Sequence, residues 1–304
     1  MEAKLSFYPI TKNIILLSKQ LLQSVMYNTH LYFGDNYIRN GEKEHFAKCG
    51  INVYPWLWSK IPNQPEMHQP TSNAPTNQQC TNQNIHTGWE LYFDIWDNNH
   101  ISLTSNSFLN MCLCSNKIFK PNTRIQNIIN DEINKIVFKN KKNISIHFRR
   151  GDAQIAKQNT NIAYEKIIST EKIIDILRQN NYLEYDIYIS SEDKTIIHKL
   201  QQELPQYNFI NSEYLLYKPV VFSDSKYSDI EQFCYHNPKY IEDIVISAII
   251  DLYFFQRSSI IIGPIFSSAF TYCGYVLSCG YNKEMTKFID PNTERTDVEN
   301  ISMI

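Results

Sequence analysis

A histidine, two arginines and an acid in close succession, His147-Phe148-Arg149-Arg150-Gly151-Asp152, make the first chemical signal in the chain. A guanidinium fork matches two oxygens of a diphosphate at once, and its charge is not titrated away near neutral pH. Just upstream, Ile144, Ile146 and Phe148 alternate with Ser145, His147 and Arg149, the period of a strand packed on one side. His147 and Arg149 therefore share a face near the strand's end, and Gly151 permits a turn that swings Asp152 back toward them. In an open α/β sheet, ligands bind at that end of a strand. A structural ion pair, with Asp152 neutralising one arginine, accounts for the same residues.

Two further segments carry polar groups at element ends. The strand predicted at Tyr185 to Ser190 runs into Ser191-Glu192-Asp193. Ser190 followed three residues on by Asp193 fits a capping box at the start of a helix. Farther on, Ile244 to Phe255 is apolar almost all round, with Asp251 in its middle. A buried carboxylate costs on the order of several kcal/mol unless it is paired or hydrogen-bonded, so Asp251 must have partners. The strand Ile260-Ile261-Ile262 then meets the breaker Gly263-Pro264, and Phe266-Ser267-Ser268-Ala269-Phe270 opens a helix. Hydroxyls and free N–H groups at a helix N-terminus suit a pyrophosphate. An ordinary serine cap, with Asp251 held by backbone donors, is the alternative.

The first segment resembles the HxRRxD motif of the fucosyltransferase superfamily, which includes α1,6-, α1,2- and protein O-fucosyltransferases. The other two resemble that family's second and third motifs and come in the same order. Glu192 in the second, and Pro264 and the spacing to Ser268 in the third, depart from the family pattern. The resemblance covers about 143–280 and implies a GT-B-like α/β fold, two Rossmann-like domains facing across a cleft, with GDP-fucose as donor. By that resemblance His147 and Asp251 contact the nucleoside, Arg149 the diphosphate, and Ser267 and Ser268 the phosphates. Asp152 holds the motif turn, Arg150 is structural, and Arg149 and Asp152 together form the catalytic assignment. Some relatives carry an acid shortly after the motif, whereas Ala153 to Gln158 contains none.

These residues need a scaffold, and the second half of the chain supplies one. Beyond the strand at 144–149, helices are predicted at about 161–180, 193–203, 240–256 and 267–278, with strands at Tyr185 to Ser190, Asn208 to Ile210 and Ile260 to Ile262. Alternating βα units imply a parallel sheet covered on both faces. Before it, Pro121 to Lys142 reads as a helix leading to a hinge. The expected domains are 1–142 on the acceptor side and 143–304 for the nucleotide sugar.

In the first half, a strand at Lys4 to Ile10, a helix from Ile14 to Met26 and short strands at His30 to Phe33 and Ile51 to Tyr54 suggest another α/β layer. Between Pro62 and His86 the residues are mainly Pro, Asn, Gln and Thr, too polar to order as a core element. Trp89 to Trp96 then mixes aromatics with Glu90 and Asp94, close to Asp97. Ring faces and carboxylates bind sugars, though a core element with a charged outer face uses the same residues. Asp35, His45, Glu90, Asp94 and Asp97 are the candidate bases for an acceptor hydroxyl.

Composition excludes several classes. With 304 residues and 43% hydrophobic content, the chain can bury two cores. A formal net charge of −2 gives no field for nucleic acid or anionic membrane. Only 8 glycines, with neither GxGxxG nor a P-loop, argue against a glycine-rich nucleotide loop. Seven cysteines without a CxxC pair predict neither a disulfide framework nor zinc; Cys112 and Cys114 read as buried thiols. No apolar run reaches membrane-spanning length and no leader pattern opens the chain, so a cytoplasmic protein is expected. No metal or cofactor is expected beyond the GDP-fucose donor substrate, and the acceptor is expected to be a glycan or protein. Two other classes fit: a glycosyltransferase of this fold using another nucleotide sugar, or a non-catalytic nucleotide-sugar or glycan-binding module.

Overall fold

Runs of β-branched residues at alternating positions build the strands around which the second half is wound. A computed structural model of the chain describes residues 2–3, 14, 18, 32–33, 101–149, 167–191, 193–214 and 241–293. In chain order its elements are β1 (Glu2–Ala3), β2 (Tyr32–Phe33), α1 (Ser107–Ile118), α2 (Thr123–Lys135), β3 (Lys142–Phe148), α3 (Thr170–Asn180) and β4 (Tyr185–Ser191). They continue with α4 (Lys194–Glu203), β5 (Asn208–Ile210), α5 (Ile241–Gln256), β6 (Ile260–Ile262), α6 (Ala269–Asn282) and β7 (Lys287–Ile289). Strand β7 and helix α1 were not anticipated.

All pairings in the larger sheet are parallel, and its strand order is β5-β4-β3-β6-β7. Starting from β3 the chain adds two strands on one side, then crosses back to add two on the other. That is the order of a doubly wound α/β sheet, and its switch point lies between β3 and β6. Strands β1 and β2 form a separate parallel pair.

An apolar core lies on each face of the sheet, as a parallel sheet requires. Ile144, Ile146 and Phe148 of β3 pack with Ile173 and Leu177 of α3 and with Ile196 and Leu200 of α4. On the other face, Tyr188 and Ile261 meet Val245, Ile249, Phe255, Tyr275 and Leu277 of α5 and α6. Ile14, Cys112 and Ile125 belong to this second core, so residues on both sides of the expected boundary at 142/143 share it.

Helix α1 starts at Asn106, whose side chain accepts the Leu109 N–H at 2.8 Å. It packs on α6 at Gly280, where a Cβ would lie 2.0 Å from the Cys112 carbonyl oxygen; only a glycine lets the two backbones approach so closely. Cys112 and Cys114 are buried free thiols within α1. Ile14 and Ser18 are helical, and Ser115 gives its hydroxyl hydrogen to Ser18 Oγ at 2.7 Å. Helix α2 ends at Lys135 and not near Lys142 as expected. The buried Asp186 carboxylate accepts the N–H groups of Lys139 at 3.1 Å and Asn140 at 3.0 Å, which draws the chain out of helix before β3. Among the described residues no helix is long and apolar enough to cross a membrane.

Candidate active site

The alternation of β3 divides its side chains between two environments. While Ile144, Ile146 and Phe148 enter the α3–α4 core, His147 faces α5 and α6 and is 7% exposed. Its Nδ1 lies 2.7 Å from Thr271 Oγ1, and its ring packs against Phe270 and Phe255 at centroid distances of 5.0 and 6.5 Å. Gly263 allows this contact: a Cβ there would sit 2.8 Å from Thr271 Cγ2 and 3.3 Å from His147 Cβ. Just past the strand's end, Arg149 directs Nη1 to the Ser267 carbonyl oxygen at 3.5 Å. The strand thus delivers a histidine and an arginine to the carboxyl end of the sheet at the switch point.

Asp251 has the partners its apolar helix demands. Tyr188 donates its hydroxyl to Oδ1, and Ser190 donates to Oδ2 at 2.8 Å. The Tyr188 ring is stacked on Phe254, centroids 4.0 Å apart and planes 8° from parallel, which fixes where that hydroxyl points. Burial lifts the Asp251 carboxyl to about 6, and the two hydroxyl donors pull it back only in part. Burial, and next the Asp251 charge, push the Tyr188 phenol well above its ordinary value. The expected capping role of Ser190 is corrected here. Strand β4 runs through Ser191, and the cap of α4 is Asp193 itself, which accepts the Thr195 N–H at 2.9 Å. Ser190 is thereby turned to Asp251.

The loop between β6 and α6 forms the facing wall. Ser268 caps α6, its Oγ accepting the Thr271 N–H at 3.4 Å, and it is 1% exposed. Its hydroxyl is committed to the helix start, whereas Ser267 is half-buried and meets Arg149 through its carbonyl. The N-terminus of α6 follows directly, so its positive end lies at the same edge of the sheet as Arg149. An anion bound there would meet a guanidinium and a helix N-terminus together.

Of the residues expected to form the site, His147, Arg149, Asp251, Ser267 and Ser268 are gathered around the carboxyl ends of β3, β4 and β6. Arg150, Gly151, Asp152 and Glu192 lie outside the described residues, as do Asp35, His45, Glu90, Asp94, Asp97 and the segment 62–86. Sequence reasoning missed Tyr188, Ser190 and Thr271 as the groups that orient Asp251 and His147. The signal was present in β4: Tyr188 and Ser190 occupy alternate positions of a strand buried on both faces, and polar groups there need partners. Among the described residues no cluster of three or more His, Cys, Asp or Glu is arranged to hold a metal ion.

No protein-family model and no curated protein matches the sequence. Solved structures do. The chain is similar to fucosyltransferase NodZ from Bradyrhizobium, with 15% identity and a TM-score of 0.32 over 53% of this chain and 45% of that one. It is similar to POFUT1 in complex with GDP-fucose, with 10% identity and a TM-score of 0.39 over 59% of this chain and 49% of that one. It is also similar to NodZ alpha-1,6-fucosyltransferase soaked with GDP-fucose, with 12% identity and a TM-score of 0.46 over 91% of each chain. The match spans about half the length of the first two. Scores and identities this low leave the reading of the site to its own residues.

Proposed function

We propose that the chain is a glycosyltransferase that moves fucose from GDP-fucose to a hydroxyl of a glycan or protein. One observation carries the reading: His147 and Arg149 stand at the carboxyl end of the central strand, at the switch point, between Asp251 and the start of α6. A sheet of this order takes nucleotides at that point. The resemblance of His147 to Asp152 to the HxRRxD motif supplies the donor.

In this reading His147 and Asp251 hold the nucleoside. Arg149 and the first turn of α6 take the diphosphate. As the sugar departs, negative charge grows on the β-phosphate, and a fixed guanidinium and helix N–H groups stabilise it without having to reorganise. The acceptor hydroxyl attacks from the far face with inversion, losing its proton to a carboxylate or histidine. Asp35, His45, Glu90, Asp94 and Asp97 are the candidates for that base, on an acceptor-side domain expected from residues 1–142. Asp152 is proposed to brace the turn behind Arg149. No metal is needed in this mechanism.

Thermal midpoints with GDP, UDP and ADP test the donor, because only a true ligand raises the midpoint with concentration. GDP is expected to do so. Release of GDP from GDP-fucose then separates an enzyme from a binding module, and a shift with UDP alone would transfer the reading to another nucleotide sugar.

A further inference from the structure

Asp290 closes the outer strand β7 and is 8% exposed, at a position to which no sequence motif points. Its Oδ2 accepts the Phe266 N–H at 3.2 Å, and its Oδ1 accepts the Asn292 N–H at 3.0 Å. Beside it, the Gly263 N–H reaches the Ile289 carbonyl at 3.0 Å. The β6–α6 loop is therefore tied to the end of β7 at two points. The next residue along, Ser267, gives its carbonyl to Arg149 from β3. One loop thus spans the carboxyl ends of three strands, with a carboxylate on one side and a guanidinium on the other.

Burying a carboxylate is costly, and donors must offset the lost hydration. At Asp290 two of those donors are loop N–H groups, so much of the compensation is obtained by fixing backbone shape. We infer that Asp290 is a positioning residue: by holding Phe266 it sets how far Ser267 and the start of α6 stand from Arg149, and hence the gap a diphosphate fills. The inference rests on the nucleotide reading of the site. Asp186 uses the same chemistry at the opposite, amino end of the sheet, where it holds Lys139 and Asn140. It is therefore an internal control.

The experiment uses the full chain, GDP as ligand and four substitutions. Asp290→Ala removes both acceptors. Asp290→Ser keeps an oxygen for the local turn with Asn292 but is too short to reach Phe266. Asp290→Asn keeps one oxygen for Phe266, and Asp186→Ala removes the distant clamp. GDP affinity is measured where each protein is folded, alongside amide hydrogen exchange. Asp290→Ala and Asp290→Ser are expected to weaken GDP about tenfold, the equivalent of one lost hydrogen-bonded contact, and to speed exchange at Phe266, Ser267 and Ser268. Asp290→Asn should recover most of the affinity. Asp186→Ala should lower the thermal midpoint while leaving GDP affinity within about twofold of the parent. Should Asp290→Ala fail to fold, Asp290→Ser decides. Unchanged affinity and unchanged loop exchange in Asp290→Ser overturn the inference. If the parent itself binds no GDP, the nucleotide reading falls, and the exchange measurement alone still decides whether Asp290 holds the loop.

Discussion

Ser190 stands beside His147 in the register of β4 against β3, and it donates its hydroxyl to Asp251 at 2.8 Å. The strand pairing thereby sets the serine that holds the helix acid next to the histidine of the central strand.

Acidity gives the first test. In the fold the Asp251 carboxyl titrates at about 6, whereas in the unfolded chain an aspartate titrates near its ordinary value of about 3.9. Because the folded pKa is the higher one, the stability linked to this group is fully present below the unfolded value. It is lost as pH rises toward 6, by on the order of 3 kcal/mol. GDP affinity should move the other way, rising through pH 6 as Asp251 becomes an acceptor. Urea unfolding and GDP titrations at pH 5 and pH 7 check both trends. Asp251→Asn should flatten them, and Tyr188→Phe, which removes one donor to the carboxylate, should move the affinity midpoint to higher pH.

Arg149→Lys keeps the charge and loses the planar fork, so two aligned contacts to a phosphate collapse to one. Loss of a donor used in the transition state costs about 100- to 1000-fold in turnover. Transfer rate and thermal midpoint should be measured together, with Arg150→Lys as the comparison. A rate within a few-fold of the parent, or a loss of stability alone, removes Arg149 from the diphosphate.

Two glycines give a steric test with opposite functional outcomes. Alanine at Gly263 would push on Thr271 and His147, and alanine at Gly280 would push on the Cys112 carbonyl. Each is expected to destabilise the protein by about 1–3 kcal/mol, the usual cost of overpacking. Only Gly263→Ala should also weaken GDP, because only it disturbs the His147–Thr271 contact. Equal effects on GDP affinity from the two would detach that contact from the site.

Metal dependence is the simplest measurement. Transfer in the presence of EDTA is expected to match transfer without it. Complete loss that Mn²⁺ restores would overturn the proposed chemistry.

The alternation Ile144-Ser145-Ile146-His147-Phe148 made β3 legible, and the Gly263-Pro264 break made the end of β6 legible, because both signals are local. Asp251 was legible as a buried acid in need of partners. Its partners were not, since a strand more than sixty positions away supplies them and no local period encodes that distance. Helix α1 carries Phe108, Met111, Cys112, Ser115 and Ile118 at helical spacing; Cys112 and Cys114 were legible as buried thiols, but the helical period around them was not read. Asp290 follows a three-residue strand, too short to stand out from its surroundings.

The strand order also bears on how a newly made chain reaches this structure. Strand β3 pairs early in synthesis with β4, but its other edge waits for β6, and the His147–Thr271 contact joins residues 124 positions apart. Until Ile260 to Ile262 arrive, the backbone of Ile144 and Ile146 presents an edge of unpaired N–H and C=O groups, the kind that recruits strands from other chains. Long-range parallel closure is slow, and it is the step at which such chains aggregate. The same closure completes the candidate site, so a nucleotide can engage only molecules whose sheet is already finished. Added during refolding, it should raise the yield by trapping the native product without quickening the search that leads there.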